Sequence, residues 1–235
     1  MLRRPDYGPV AVSLIVALVG LSVLIGWKTE NYALVQLHPS WVPMQFNTAL
    51  CFLLSGVALL GFTLQRSWCR AIAWSILVVA GLTGLQFVLR VDLGLDQLFH
   101  DHSVTTKTSS PGRMAPNTAL CFVLLSLCLL LRRSRAQWLA IAMLGLGSIA
   151  IVGYVTEVSS AYSWGRLTSM ALHTALCHTA LGVVLAVRCR RAASERRLFW
   201  GLDLRDALFF VLILMSAGYL ASRQLLYTFT SREHG

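Results

Sequence analysis

Six stretches of this chain run for roughly the thickness of a bilayer without one ionised side chain. Val10–Trp27, Phe46–Leu64, Ala71–Leu89, Asn117–Leu131, Trp138–Val155 and Met170–Val187 contain no Asp, Glu, Lys or Arg. A helix needs about 20 apolar residues to cross about 30 Å of hydrocarbon, and in lipid the backbone must satisfy its own hydrogen bonds. Runs of this length therefore predict helices. Asn117–Leu131 is short and reaches span length only if its helix starts at Met114. A seventh candidate, Ala207–Ala221, has Asp203, Arg205 and Asp206 crowding its start, so an interfacial helix competes with a span there. The fold class expected is all-α: a polytopic membrane protein of about seven transmembrane helices. Only 13% of the residues are charged, about half the usual share of a soluble domain, which is roughly 25%.

The formal net charge of +10 would suggest nucleic acid in a soluble protein, but here it is distributed as a topology signal. Arg3, Arg4, Arg66, Arg70, Arg132, Arg133, Arg135, Arg188, Arg190, Arg191, Arg196, Arg197 and Arg205 fall on one side of the alternating runs. Lys28, Arg90, Lys107, Arg113, Arg166, Arg223 and Arg232 fall on the other, spread over longer segments. The positive-inside rule places the N-terminus in the cytoplasm and, with seven spans, the C-terminus outside. The basic surplus also favours anionic lipid. The first apolar run exceeds the h-region of a signal peptide and lacks a small-residue cleavage site, so it is expected to be retained. Cys69 and Cys189 are expected in cytoplasmic loops and Cys51, Cys121, Cys128 and Cys177 within helices, a distribution that indicates no disulfide framework.

An internal repeat organises the chain. Met44-Gln-Phe-Asn-Thr-Ala-Leu-Cys51, Met114-Ala-Pro-Asn-Thr-Ala-Leu-Cys121 and Met170-Ala-Leu-His-Thr-Ala-Leu-Cys177 align without gaps, each opening an even-numbered span at its outer end. An outer segment headed by an acid precedes each copy: Glu30, Asp92 and Glu157. Short apolar stretches follow the acids, Tyr32–Leu37, Leu93–Phe99 and Val158–Trp164, and are expected to form small interfacial helices. Each unit is then helix, outer cap, helix. Three parallel hairpins, over about 8–66, 70–133 and 137–190, are expected around a pseudo-threefold axis, forming a bundle over 1–200. A seventh helix and outer tail occupy 201–235.

Helical spacing puts Met44, Asn47, Thr48 and Cys51 on one stripe, Met114, Asn117, Thr118 and Cys121 on a second, and Met170, His173, Thr174 and Cys177 on a third. Polar groups avoid lipid, so the stripes are expected to face the bundle interior, with an acidic level of Glu30, Asp92 and Glu157 above them. Together these residues are the candidate ligand-binding set. The third copy breaks symmetry with His173 and adds His178. Three readings stay open. The motif is packing glue, with Asn47 and Asn117 capping their helix starts; or it lines an outer small-molecule or lipid-like pocket; or His173, Cys51, Cys121 and Cys177 are soft metal ligands suited to Cu(I). In the long outer loop Arg90–Pro116, His100, Asp101 and His102 are read as solvated, and the loop as a candidate lid. Recognisable catalytic signatures are missing from the sequence, no enzyme is expected, and no cofactor is assigned.

Trp41–Leu54, Val91–Phe99, Pro111–Phe122 and Ala161–Leu176 carry a pattern that resembles the N-terminal membrane region of bacterial PAS-containing sensor histidine kinases and GGDEF/EAL cyclic-di-GMP signalling proteins. The resemblance covers most of Ala11–Val187 and implies a sensory input module in the bacterial inner membrane. Its implied partners are the lipid bilayer, cytoplasmic or fused signalling domains and a small-molecule or lipid-like ligand. A homodimer is left open, and nucleic acid is not expected. This chain departs from the resemblance in ending at Gly235, as an isolated module or a fragment of a longer receptor. A channel or carrier along the axis, or a Cu(I)-type metal protein, is the alternative.

Overall fold

The computed structural model describes residues 7–100, 108, 110–131, 133–164 and 167–194, so the expected helix Ala207–Ala221 lies outside the described residues, as do Asp101 and His102. The described elements are α1 (Tyr7–Lys28), α2 (Tyr32–Val35), α3 (Phe46–Thr63), α4 (Trp68–Leu89), α5 (Pro116–Leu130), α6 (Arg133–Val155) and α7 (Leu172–Ser194), with a 3-10 turn at Ser159–Ala161. No strand occurs among the described residues. Within α1, α3, α4, α6 and α7 lie segments long and apolar enough to cross a membrane. Large apolar side chains such as Leu14, Ile15, Leu18, Trp74, Val78, Val88 and Val152 are exposed on the helices, as lipid-facing surface requires.

Helix α5 departs from expectation. It has 15 residues, about 22 Å, and does not begin at Met114. Pro116 disfavours the helical region for the residue before it, and Ala115 is extended at φ −61°, ψ 148°. The small outer helices also differ. The first stops at Val35, the third is a single 3-10 turn, and Leu93–Phe99 forms none. There Gly94 takes φ 69° and donates its N–H to Asp92 Oδ1 at 2.9 Å, a side-chain turn that replaces the helical one. Cys69 and Cys189 lie within α4 and α7 instead of in loops, and all six cysteines are buried thiols outside any disulfide.

Packing is strongest between α1 and α3, α4 and α5, and α6 and α7; contacts of α3 with α4 and of α5 with α6 come next, and α1 also meets α7. The first hairpin thus touches the last. Buried positions recur in register along the first members of these pairs. Ser13, Val16, Gly20, Val23 and Gly26 of α1 match Ala73, Ile76, Ala80, Thr83 and Gln86 of α4, and Ala140, Met143, Gly147, Ala150 and Gly153 of α6. Glycine is required at Gly20, Gly26, Gly147 and Gly153, and two of these face a partner helix. A Cβ on Gly20 would lie 2.6 Å from Ala49 O, and one on Gly147 2.9 Å from Ala175 O, so the helix pairs α1–α3 and α6–α7 meet backbone to backbone.

The first helices of the three pairs, α1, α4 and α6, also end alike. Asn31, Val91 and Val158 donate their N–H groups to the carbonyls of Gly26, Gln86 and Gly153 at 2.9, 3.2 and 2.9 Å. The residue before each donor is left-handed: Glu30 at φ 55°, Arg90 at 55° and Glu157 at 58°. This is the Schellman closure, which satisfies terminal carbonyls and turns the chain into its outer segment.

Candidate functional site

All twelve stripe residues are buried. Helix α3 starts behind Gln45 and α5 behind Ala115, both extended and neither making a side-chain cap. Asn47 and Asn117 therefore are not the N-caps of the packing reading; they sit in the first turn and reach across the bundle. Asn47 Nδ2 donates to Leu95 O at 3.0 Å and Asp96 O at 3.2 Å, in the outer segment of the second hairpin. Asn117 Nδ2 donates to Tyr162 O at 3.2 Å, in that of the third, while its Oδ1 accepts the Thr118 N–H. His173, at the same motif position, lies against the Val35 main chain of the first without reaching full hydrogen-bond geometry. At this motif position Asn47 and Asn117 thus clasp the next outer segment, and His173 faces the first without a hydrogen bond to it.

Other contacts tighten this outer layer. Trp27 Nε1 donates to Met44 O and Tyr154 Oη to Met170 O, each at 2.8 Å, so the first helix of the first and third hairpins grips the start of its own motif. The Trp41 ring sits 5.5 Å from that of Tyr154. The loop expected as a lid lays Phe99 and His100 over Phe46, at 6.5 and 5.7 Å, with His100 also 5.4 Å from Trp27. Lys28 Nζ donates to Phe99 O at 3.2 Å.

The second hairpin is held differently. Gln86 stands where α1 and α6 have glycine, and its side chain works in place of close approach: Oε1 accepts the Leu93 N–H at 2.7 Å, and Nε2 donates to Asp96 Oδ1 at 3.1 Å. Asp96 Oδ2 also takes the Arg113 Nε–H at 2.5 Å, and both charged side chains are buried. Arg113 lies 5.6 Å above the Phe87 ring and 3.3 Å from Asp92 Oδ1.

The acidic level above the stripes does not form as expected. Glu30 and Glu157 share a backbone position whose counterpart is Arg90, not Asp92, and all three acids are exposed. They serve helix ends or, for Asp92, a turn and an ion pair with Arg113. Nor do the soft ligands converge: no group of three or more His, Cys, Asp or Glu side chains able to hold a metal occurs among the described residues. His173, Cys51, Cys121 and Cys177 are each buried.

A second set of residues meets where α3, α5 and α7 come together. Phe52, Phe122 and His178 directly follow the three motif cysteines, and their rings form a triangle with centroids 4.8, 4.8 and 4.6 Å apart. All three are fully buried. Thr48, Thr118 and Thr174 lie one turn outward on the same helix faces, also buried. Neither ring nitrogen of His178, and neither amide atom of Gln45, has a hydrogen-bond partner among the described residues. The spacing of the motif pointed to its Met, Asn and Cys, and so passed over Gln45, Phe52, Phe122, Gln86, Asp96 and Arg113. The departure of His178 from its Phe counterparts was the available signal.

Comparison with protein-family models, curated proteins and solved structures returns no match to this chain.

Proposed function

We propose that the chain is the signal-input module of a bacterial inner-membrane receptor, made of three parallel hairpins around a pseudo-threefold axis, with its N-terminus cytoplasmic. The observation that carries this reading is the pair of outer clasps, Asn47 to Leu95 and Asp96 and Asn117 to Tyr162, with His173 at the same motif position of the third hairpin. A ligand entering from the outer side meets a layer in which two segments are fastened by asparagine and the third faces an unpartnered His173. A bound molecule that prefers one arrangement of the clasps shifts all of them together, because a population moves only by differential affinity.

Helix α7 is the route inward. It carries His173 and His178 in its outer half and Arg188 near its inner end. Arg188 Nη1 donates to Thr63 Oγ1 at 3.1 Å, and its guanidinium lies 5.6 Å from the Phe62 ring, tying α7 to the inner end of α3. Signalling domains on the cytoplasmic side would read that end. The triangle Phe52–Phe122–His178 stands on the line a permeating solute would follow, which favours an input module over a channel or carrier.

The test is hydrogen–deuterium exchange on protein in nanodiscs, stripped of small molecules and then given back an extract of its native membrane. Exchange is expected to fall together at residues 91–96, at 158–162 and at the inner end of α7. Protection confined to the outer segments, or ion flux through protein-bearing liposomes, would overturn the input-module reading.

A further inference from the structure

The line where α3, α5 and α7 meet is built unequally along its length. Inward of the aromatic triangle, Leu59, Leu129 and Leu185 occupy matching positions and are buried. Outward of it, the matching positions are Thr48, Thr118 and Thr174, then Gln45, Ala115 and Ala171, all buried. Seven residues separate Gln45 from the Phe52 level, about 10 Å along a helix. Small side chains therefore line this stretch, with a longer polar group at each end. His178 stands at its inner end, its ring 4.8 and 4.6 Å from Phe52 and Phe122 of the other two helices. It is fully buried with both nitrogens unpartnered, and Gln45 is buried with both amide atoms unpartnered.

Buried polar atoms without partners cost about 1–3 kcal/mol each, and native proteins rarely leave them so. Packing gives no reason for either residue, because the sister hairpins place Phe or Ala at the same positions. We infer that the outer stretch of the axis, between Gln45 and the Phe52–Phe122–His178 triangle, binds one small uncharged molecule with a hydrogen-bonding group at each end and an apolar middle. The imidazole of His178 and the amide of Gln45 each donate or accept at one end. Thr48, Thr118 and Thr174 offer hydroxyls between them, and the phenyl rings of Phe52 and Phe122 form the floor. An uncharged guest is expected because the lining holds no carboxylate, Lys or Arg to serve as a fixed counter-charge, and an unpaired ion in a membrane-embedded bundle is strongly disfavoured. Such a guest is lipid-soluble, so the bilayer itself supplies it.

The inference rests on the ligand-binding part of the proposed function, and the test separates the two. Gln45→Ala with His178→Phe makes all three hairpins alike on the axis, and removing unpartnered polar atoms should raise the unfolding temperature of the empty protein. His173→Asn makes the outer clasps alike and leaves the axis untouched. Native mass spectrometry and solvent extraction of each protein, taken directly from membranes, report what is bound. The expected result is a neutral compound near one per chain in the wild type and in His173→Asn, reduced at least about tenfold in the double variant, a loss of binding of about 1.4 kcal/mol or more. A compound kept by the double variant but lost from His173→Asn would overturn the axial site while leaving the ligand-binding reading in place. A metal or a charged compound at the axis would likewise overturn it. No compound in any of the three proteins would overturn both.

Discussion

Asp96 is the residue on which the second outer segment depends. Its carboxylate holds Gln86 and Arg113, and its carbonyl takes Asn47. Asp96→Asn leaves the buried Arg113 guanidinium with only the exposed Asp92 carboxylate, 3.3 Å away, as counter-charge, so the loss should approach the about 3–5 kcal/mol typical of a broken buried pair without reaching its top. Thermal unfolding in detergent should show that loss, and adding Arg113→Gln should recover part of it. If the two changes simply add, the pair is not coupled. Glu30 tests the discarded acidic level. Its left-handed backbone disfavours a side chain, so Glu30→Gly should hold or raise stability by up to about 1 kcal/mol and leave bound material unchanged. Loss of bound material would restore Glu30 to the site. These roles were only partly legible in the sequence. The three acids were visible as acids, but Glu30 and Glu157 correspond to Arg90, and only backbone conformation reveals that. The Met–Asn–Thr–Cys spacing found a buried face correctly. A helix at the centre of a bundle is buried on more than one face, so periodicity could not tell the face toward the next hairpin, with Asn47, from the face toward the axis, with Phe52.

Among the elements, the hairpins differ in how closely their helices approach. In the first and third, Gly20 and Gly147 admit the partner backbone, whereas the second has Ala80 and the shorter helix α5. A larger residue at either glycine has nowhere to go, and overpacking of this kind costs about 1–3 kcal/mol. Gly147→Val should lower the unfolding temperature, while Gly81→Ala, with nothing within 4 Å, should leave it unchanged or raise it. Equal effects would mean that α6 and α7 do not pack through Gly147. Asn47→Ala removes the donor that holds Leu95 and Asp96, worth about 1 kcal/mol. Faster amide exchange at residues 93–96, with α3 itself unaffected, is the expected outcome. Helix existence was readable from charge-free runs alone. The start of α5 was not, because the effect of Pro116 on Ala115 outweighs the apolar pattern that continues back to Met114.

At the scale of the whole molecule, three observations support one arrangement. The first and last hairpins touch, Asn47 and Asn117 each clasp the next outer segment, and one side chain from each of α3, α5 and α7 meets in the Phe52–Phe122–His178 triangle. The repeated motif raised the expectation of three similar units, but the contacts that would close them join residues far apart in sequence and leave no local pattern to read. The triangle is the feature on which both the threefold reading and the axial site depend. A photoreactive phenylalanine analogue in place of Phe52, activated in native membranes and mapped by peptide mass spectrometry, tests it directly. Cross-links within one chain to the peptides carrying Phe122 and His178 are the predicted result. Cross-links to lipid, or to α1 alone, would contradict it, because Phe52 would then face outward and no common axis would exist.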